Sequence, residues 1–178
     1  MLVSPQNRAA LTLVHSAPDA PSEPAWFCGN CGAPAPRRTP PAPNARVCQA
    51  CGLGVLLEAR ADVRPSPRDA FLVVDATLAV QALSRRAERL LDVSEEQAIN
   101  RPVGELLVAA DTEDRARREF SEAIVAAASG AQEPTHVYVR PWNTFGVRMR
   151  ARVGSCGPPR AALLVLASGH VPPLRSVD

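Results

Sequence analysis

Four cysteines arranged as two Cys-x-x-Cys pairs constrain this chain more than any other feature of its sequence. The first pair stands in CGNCG, at Cys28 and Cys31, and the second in CQACG, at Cys48 and Cys51. The 16 residues between the pairs match the spacing of zinc sites built from two such units. Zinc takes four ligands in a tetrahedron, and thiolates suit it. Because four thiolates leave no open coordination position, the sequence predicts one structural zinc ion rather than a catalytic one.

The spacing alone leaves other uses of the four thiols open. An iron centre also takes four thiolates, and a thiol redox protein uses a single Cys-x-x-Cys pair that usually opens a helix. The proline-rich loop from Ala33 to Pro43 argues against the redox alternative. Gly32 and Gly52 each follow the second cysteine of a pair, where they allow the left-handed backbone of a metal-binding turn. Residues 26–58 resemble a zinc ribbon, which implies contact with nucleic acid or protein, or stabilisation of one end of a fold.

Charge and hydropathy exclude several classes of protein. All 20 basic residues are arginine, and they face 18 acids, so the net charge of +2 does not predict a polyanionic partner. No apolar run approaches the roughly 18 residues that span a bilayer, and residues 1–20 lack the features of a secretory signal. We therefore expect a cytoplasmic protein without a membrane segment. The lysine-free, alanine- and proline-rich composition is typical of a GC-rich bacterial genome.

Changes in composition divide the chain into five predicted segments. They are an N-terminal tail at 1–24, a zinc ribbon at 25–60, a linker at 61–67, an α+β domain at 68–170 and a C-terminal tail at 171–178. The tail and the linker are rich in proline, and the ribbon segment has too few apolar residues to fold without a metal. The largest segment is long enough to bury a core of its own.

The α+β segment opens with strand and short-helix signals. FLVVD and LAVQAL predict a hairpin that turns at Asp75. Ser84 is positioned to cap the helix RRAERLLDV. Ser94 and Gln97 have capping-box spacing, which predicts a second short helix.

A long helix and three strands complete the segment. Asp111 or Thr112 is predicted to cap the helix, and Gly130 to close it. THVYVR, TFGVRMRARV and AALLVLAS follow as strands, the last of them apolar on both faces and therefore central. Two strands, several helices and three strands in this order predict an α+β fold with a five-stranded antiparallel sheet.

Residues 68–168 resemble a PAS domain. Family members show a strand that ends in Asp, a turn, a second strand, and a capped helix that reads like A-A-E-x-L-L-G; here Asp75 ends the strand and RAERLLD supplies the helix. Two positions depart from this pattern: Ser84 stands where many members carry Asn, and Asp92 where Gly is usual. The resemblance implies a sensory or dimerisation module in signalling or regulation, and some members hold haem, flavin or a small metabolite.

The sequence disfavours haem and photoactive flavin as cofactors. Haem-binding members usually carry a histidine on the long helix, but the histidines of this segment are His136, at a strand start, and His170, beyond the last strand. Photoactive flavin members need a cysteine on a short helix, whereas Cys156 is expected in a turn as an exposed spare thiol. Asn143 is an amide near the strand hairpin that could meet a flavin ring. We expect an apolar interior that is tightly packed, empty, or open to a small apolar ligand.

The alternation of TFGVRMRARV predicts a basic stripe of Arg148, Arg150 and Arg152 on the outer sheet face. This stripe is either a solvated face or a docking surface for an acidic partner segment. The preferred function is a non-enzymatic signalling or regulatory protein with a protein partner and a homodimer contact through the PAS-like domain. A nucleic-acid-associated transcription regulator and a thiol redox protein are the alternatives. No catalytic triad, carboxylate pair or phosphate-binding glycine loop is present, so an enzyme is not expected.

Overall fold

A computed structural model describes residues 23–35 and 41–167. The strands are β1 (Pro24–Cys28), β2 (Leu56–Arg60), β3 (Ala70–Val74), β4 (Val80–Leu83), β5 (Leu107–Ala109), β6 (Thr135–Pro141), β7 (Met149–Gly157) and β8 (Ala161–Leu166). The helices are α1 (Arg85–Leu91), α2 (Glu95–Ala98) and α3 (Asp114–Ala128), with 3-10 turns at Pro43–Ala45 and Val103–Glu105. In the part of the chain that is described, no helix is both long and apolar enough to cross a bilayer. The α+β class is confirmed.

The strands of the described residues all join one antiparallel sheet of eight strands, so the prediction of five strands is wrong. The order β4-β3-β8-β7 forms one side, and β8 is central as predicted. Strand β7 is nine residues long, and two partners share its second edge. β6 pairs with Met149 to Val153, whereas β2 pairs with Cys156 and Gly157. β1 and β5 extend the sheet beyond β2 and β6, respectively.

The capping predictions for the two short helices are confirmed. The Ser84 hydroxyl accepts a hydrogen bond from Ala87 N at the start of α1. Ser94 and Gln97 form the complete capping box of α2. Asp92 at the end of α1 adopts φ 52° and ψ 48°, so it takes the left-handed conformation that glycine would otherwise supply. This departure from the PAS pattern therefore leaves the turn intact.

The predicted cap of the long helix is wrong. α3 begins at Asp114 with Glu113 as its N-cap, and no side chain caps it. Asp111 instead accepts a hydrogen bond of 3.2 Å from Arg148, the residue that precedes β7. Gly130 follows the helix with φ +97°, as predicted. The sequence favoured Asp111 or Thr112 as the cap because the competing partner, Arg148, lies 37 residues away along the chain.

Apolar side chains cover both faces of the sheet. On the helix side, α3 contributes Phe120 and Ile124 to the larger core cluster. On the outer side, Phe71 and Val73 of β3 pack with Phe27 of β1 and with Val63. Val63 lies in the predicted linker at 61–67 and is only 1% exposed, so this segment packs against the sheet.

Replacing Ser84 with alanine tests the connection between β3 and α1. The buried Ser84 hydroxyl accepts hydrogen bonds from Phe71 N at 2.9 Å and Ala87 N at 3.2 Å. Ser84→Ala leaves two buried N–H groups without this partner, and we expect a loss of about 2–3 kcal/mol in unfolding free energy. Urea denaturation measures it. Ser94→Ala is the matched control, because Ser94 is exposed and its loss should cost about 1 kcal/mol. Equal costs for the two variants would contradict the assigned role.

Candidate metal centre

The structure brings the four predicted ligand cysteines together. Their Sγ atoms all lie within 4.8 Å of one another. The Sγ atoms of Cys28 and Cys51 are 3.7 Å apart, and those of Cys31 and Cys48 are 3.9 Å apart. A tetrahedral ion with metal–sulfur bonds of about 2.3 Å requires sulfur–sulfur distances of roughly 3.8 Å. The four thiols could therefore hold a metal ion without rearrangement of the backbone.

Each Cys-x-x-Cys pair forms the same turn. Gly32 N donates to Cys28 O at 3.0 Å, and Gly52 N donates to Cys48 O at 2.8 Å. Both glycines have φ +71°, a conformation that side chains rarely adopt. The predicted need for glycine after each pair is thus confirmed. This repeated geometry points two sulfurs from each turn toward the same centre.

Backbone N–H groups surround the sulfurs. Cys28 Sγ accepts hydrogen bonds of 3.4 Å from Asn30 N and Cys31 N, and Cys51 Sγ accepts one of 3.4 Å from Gly54 N. The hydrogen bond from Gly54 lowers the pKa of Cys51 to about 6, whereas burial raises the pKa of Cys28 to about 12. Such N–H donors stabilise thiolates. A cation bound at this centre would favour the thiolate form of its ligands.

Gly54 belongs to this site, although the cysteine spacing did not reveal it. A Cβ atom at residue 54 would overlap Cys28 Sγ and lie 2.8 Å from Asn30 Cβ. Gly54 O also accepts a hydrogen bond of 2.8 Å from Cys48 N. The second glycine in CGLG was the available signal. Its role depends on contact with the first cysteine pair, which sequence spacing does not show.

Gly54→Ala should weaken zinc binding at least about tenfold, the usual cost of disturbing groups that support metal ligands. The added methyl group would push Cys28 Sγ away from the other sulfurs. Competition against a chromophoric zinc chelator measures the affinity. Gly104→Ala is the control, because a Cβ there meets nothing within 4 Å. Wild-type affinity in Gly54→Ala would show that Cys28 does not need its present position.

The segment that carries the cysteines, called the cysteine module here (residues 24–35 and 41–60), is joined to the rest of the protein. Trp26 and Leu56 pack with Cys28 and Cys48 in a small cluster. From the adjacent position, Phe27 packs into the outer core layer, where its ring meets Phe71 edge-on at 5.8 Å between centroids. The module is therefore packed against the sheet as well as hydrogen-bonded to β7.

Four thiolates around a divalent zinc ion carry a formal charge of −2, and the sequence places Arg37, Arg38 and Arg46 near the cysteines, where they are predicted to offset part of it. The guanidinium of Arg46 lies 5.8 Å from the centre of the Trp26 ring. Arg37 and Arg38, also expected to offset the charge of the centre, lie outside the described residues. The predicted neutralising role of these arginines stays a prediction.

Of the predicted arginine stripe, Arg150 and Arg152 lie on the outer face of β7, and Arg148 lies just before the strand, over the Tyr138 ring. Arg148 and Arg150 are exposed and Arg152 is half-buried. Arg148 pairs with Asp111 at 3.2 Å, and its guanidinium lies 4.1 Å from the centre of the Tyr138 ring. The stripe therefore continues onto β6 as an aromatic and basic surface.

Four further residues were weighed in the sequence as contacts for haem or flavin, and the three that the structure describes lie outside the cysteine cluster. Cys156 was expected in an exposed turn, and this prediction is wrong: it lies within β7, 4% exposed, and burial raises its pKa to about 12. The longer β7 strand explains the error. His136 is exposed on β6. The pKa of its imidazole is lowered, first by the partial loss of solvent around the ring and then by the positive charges of Arg150 and Arg152. Asn143 is exposed in the turn after β6, and His170 lies outside the described residues.

No family model matches the chain, and no curated protein does. The chain is similar to solved PAS domains. That of the histidine kinase ThkA is 13% identical with a TM-score of 0.38, over 55% of this chain and 96% of that one. The PAS domain of nitrogen regulation protein NR(II) from Vibrio parahaemolyticus is 17% identical, with a TM-score of 0.39. The match covers 55% of this chain and 85% of that one. A PAS domain from Colwellia psychrerythraea is 23% identical, with a TM-score of 0.36. The match covers 55% of this chain and 83% of that one. These likenesses are too distant to carry an argument about function.

Proposed function

We propose that this chain is a non-enzymatic signalling or regulatory protein of the cytoplasm. In it, a PAS-like α+β domain and a structural zinc ribbon form one unit that docks a protein partner. The observation that carries the proposal is the clustering of all exposed aromatic side chains of the described residues with arginines along β6, β7 and the turn between them. The redox alternative is disfavoured because zinc would occupy the thiols that it requires.

Zinc is the metal that the centre suits best. Four thiolates in a tetrahedron are typical of structural zinc, and zinc has no redox chemistry to disturb a regulatory fold. The four cysteines fill the coordination shell, so a bound ion would supply cross-linking and no open position for substrate. The residues that hold it would be Cys28, Cys31, Cys48 and Cys51, with one ion per chain.

The chain uses its few aromatic residues in two ways. Trp26, Phe27, Phe71 and Phe120 are at most 5% exposed. The other three are 48%, 57% and 81% exposed, and they lie within eight residues on β6 and the following turn: Tyr138, Trp142 and Phe145. Exposed aromatics this close together are typical of a binding surface, because tryptophan, tyrosine and arginine dominate the energetics of protein interfaces.

Arginines surround these rings and define the basic–aromatic strip. It consists of Tyr138, Arg140, Trp142, Phe145, Arg148, Arg150 and Arg152. The guanidinium of Arg140 lies 4.8 Å from the Phe145 ring centre and donates to three backbone carbonyls of the turn. Arg148 covers Tyr138 and pairs with Asp111. These two arginines thus fix the shape of the strip.

Arg150 and Arg152 supply its free charge. Within residues 23–35 and 41–167, neither has an ion pair. They alternate along β7 and stand opposite Tyr138 and His136 of β6. Guanidinium groups two residues apart on a strand are about 7 Å apart, which matches carboxylates two residues apart on an extended segment. An acidic partner segment with apolar side chains fits this arrangement.

Site-specific photo-crosslinking tests the proposal in the full chain. A photoreactive amino acid replaces Phe145, and the control places it at Arg118, an exposed position on α3. We expect crosslinks from residue 145 to an acidic segment of another protein. Binding of that purified partner should fall at least about tenfold in Arg150→Glu/Arg152→Glu, remain unchanged in Arg118→Glu, and weaken as salt rises.

Three outcomes would contradict the docking proposal. They are equal crosslinking from residues 145 and 118, retained binding after the double charge reversal, and crosslinks chiefly to nucleic acid. The last would favour the transcription-regulator alternative. Crosslinks to a second copy of this chain would instead assign the strip to a homodimer, and sedimentation analysis of Arg150→Glu/Arg152→Glu would confirm this by a shift to monomer.

A further inference from the structure

A second surface, on the opposite face of the sheet, carries chemistry that the proposed function does not use. Trp26 pairs with Glu58, and Glu58 pairs with Gly157 of β7, so these positions share a face. Alternation along β7 places that face on the same side as Val153, which packs with α3. Because α3 ends at Ala128, it leaves this extension of the sheet uncovered. A cleft of about 650 Å³ lies there, within the size range of small-molecule sites.

Three arginines from separate elements line the cleft. They come from the segment before Cys48, from the end of β2 and from the turn between β7 and β8: Arg46, Arg60 and Arg160. Arg60 pairs with Asp62 at 2.8 Å and donates to the carbonyl of Gln132. Arg60 thereby ties β2 to the loop after α3 and forms a wall of the cleft.

Arg46 and Arg160 bring charge that no described acid pairs with. Neither has an ion pair within residues 23–35 and 41–167. The Nε atom of Arg46 is buried and has no hydrogen-bond partner there, although buried guanidinium donors normally have one. Arg160 lies beside Gly130, where an added Cβ would be 3.6 Å from its Nη1. Glu58 is the acid among the described lining residues.

We infer that this cleft binds a small organic anion through a carboxylate or phosphate group. Planar guanidinium forks suit both groups. Arg46 and Arg160 bind the anion, Arg60 holds the wall, and Trp26 supplies an apolar floor. Because the lining comes from the cysteine module, the α3–β6 loop and the β7–β8 turn, a bound anion connects the module to the sheet. This inference is independent of the basic–aromatic strip.

Tryptophan fluorescence of the zinc-loaded full chain tests it. Trp142→Phe removes the exposed tryptophan of the strip and leaves Trp26 as the reporter. Inorganic phosphate and succinate are titrated separately, against sodium chloride of equal ionic strength. We expect a saturable change in emission with at least one of the two anions, and the responding anion tells phosphate from carboxylate chemistry. Arg160→Gln and Arg46→Gln should each weaken binding about tenfold or more, and Arg118→Gln should not.

Two results would overturn the inference. One is the absence of any saturable change beyond that of sodium chloride. The other is anion binding of equal affinity in Arg160→Gln and wild type. Arg160 is exposed and distant from the cysteines in sequence, so its replacement should leave the fold intact. Zinc content and thermal unfolding of each variant verify that a loss of binding is local.

Discussion

Cys28→Ala is expected to lose binding of the proposed zinc ion and to unfold the cysteine module. The structural reason is that Cys28 is fully buried and supplies one of four sulfurs around a single centre. Structural zinc contributes about 10–16 kcal/mol of apparent binding free energy in small zinc-binding peptides. The module has a small apolar cluster of its own, so the loss of a ligand should remove most of its stability. Metal analysis and amide hydrogen exchange over residues 24–60 measure the two effects.

Cys156→Ala is the matched control for this variant. Cys156 is also buried, but it lies in β7 and packs with Phe71 and Leu163 rather than with the other cysteines. Its replacement should cost about 1–2 kcal/mol, through lost packing alone. One zinc per chain should remain. Equal zinc content in Cys28→Ala and Cys156→Ala would contradict the assignment of the centre.

Phe27→Ala should destabilise the whole protein by about 3–5 kcal/mol, the usual cost of removing a buried aromatic ring. Phe27 has no exposed surface and packs edge-on against Phe71 in the central part of the sheet. The loss should therefore lower the stability of the PAS-like sheet as well as that of the module. Urea unfolding in excess zinc, followed by circular dichroism and by hydrogen exchange of β3 and β8, measures both.

Phe145→Ala serves as the control for Phe27→Ala. The Phe145 ring is 81% exposed, so its removal should change stability by no more than about 0.5 kcal/mol. The idea of one unit would be contradicted by a Phe27→Ala variant that destabilises residues 24–60 and leaves β3 and β8 at wild-type protection. The module would then be an independent domain joined to the sheet by the pairing of β2 with β7.

Features that depend on short-range geometry could be predicted from the sequence. The two turns of the cysteine pairs follow from the cysteine spacing and from glycine at residues 32 and 52. Caps at Ser84 and Ser94 follow because each hydroxyl bonds to an N–H three residues ahead. The hairpin of β3 and β4 and the central place of β8 follow from apolar patterning over a few residues.

Features that depend on contacts between residues distant in the chain could not be predicted from the sequence. β5 has three residues and exists because it pairs with β6 some 30 residues later. The addition of β2 to β7 rests on two residue pairs, too few to produce a sequence pattern. The burial of Val63 depends on its fit against Gly154, where a Cβ would lie 2.8 Å from Val63. Cys156 was predicted in a turn because the C-terminal end of β7, where Cys156 lies, pairs with β2, a contact distant in sequence.

The basic–aromatic strip could be predicted from the sequence only in part. The alternation of Arg148, Arg150 and Arg152 predicted a basic face, but the aromatic members follow from the antiparallel register that places Tyr138 opposite Arg150. The cleft proposed to bind an anion could not be predicted from the sequence. Its arginines are far apart in the sequence, and only the tertiary fold brings Arg46 and Arg160 to one place.

Metal analysis of the purified chain, combined with its visible absorption spectrum, tests whether the four cysteines hold one zinc ion. We expect one zinc ion per chain, no absorption band in the visible range, and release of four thiols when a strong chelator removes the metal. Iron with a visible charge-transfer band would contradict the zinc assignment. A chain that folds with no bound metal and with all four thiols of the centre free to react would contradict the structural site itself.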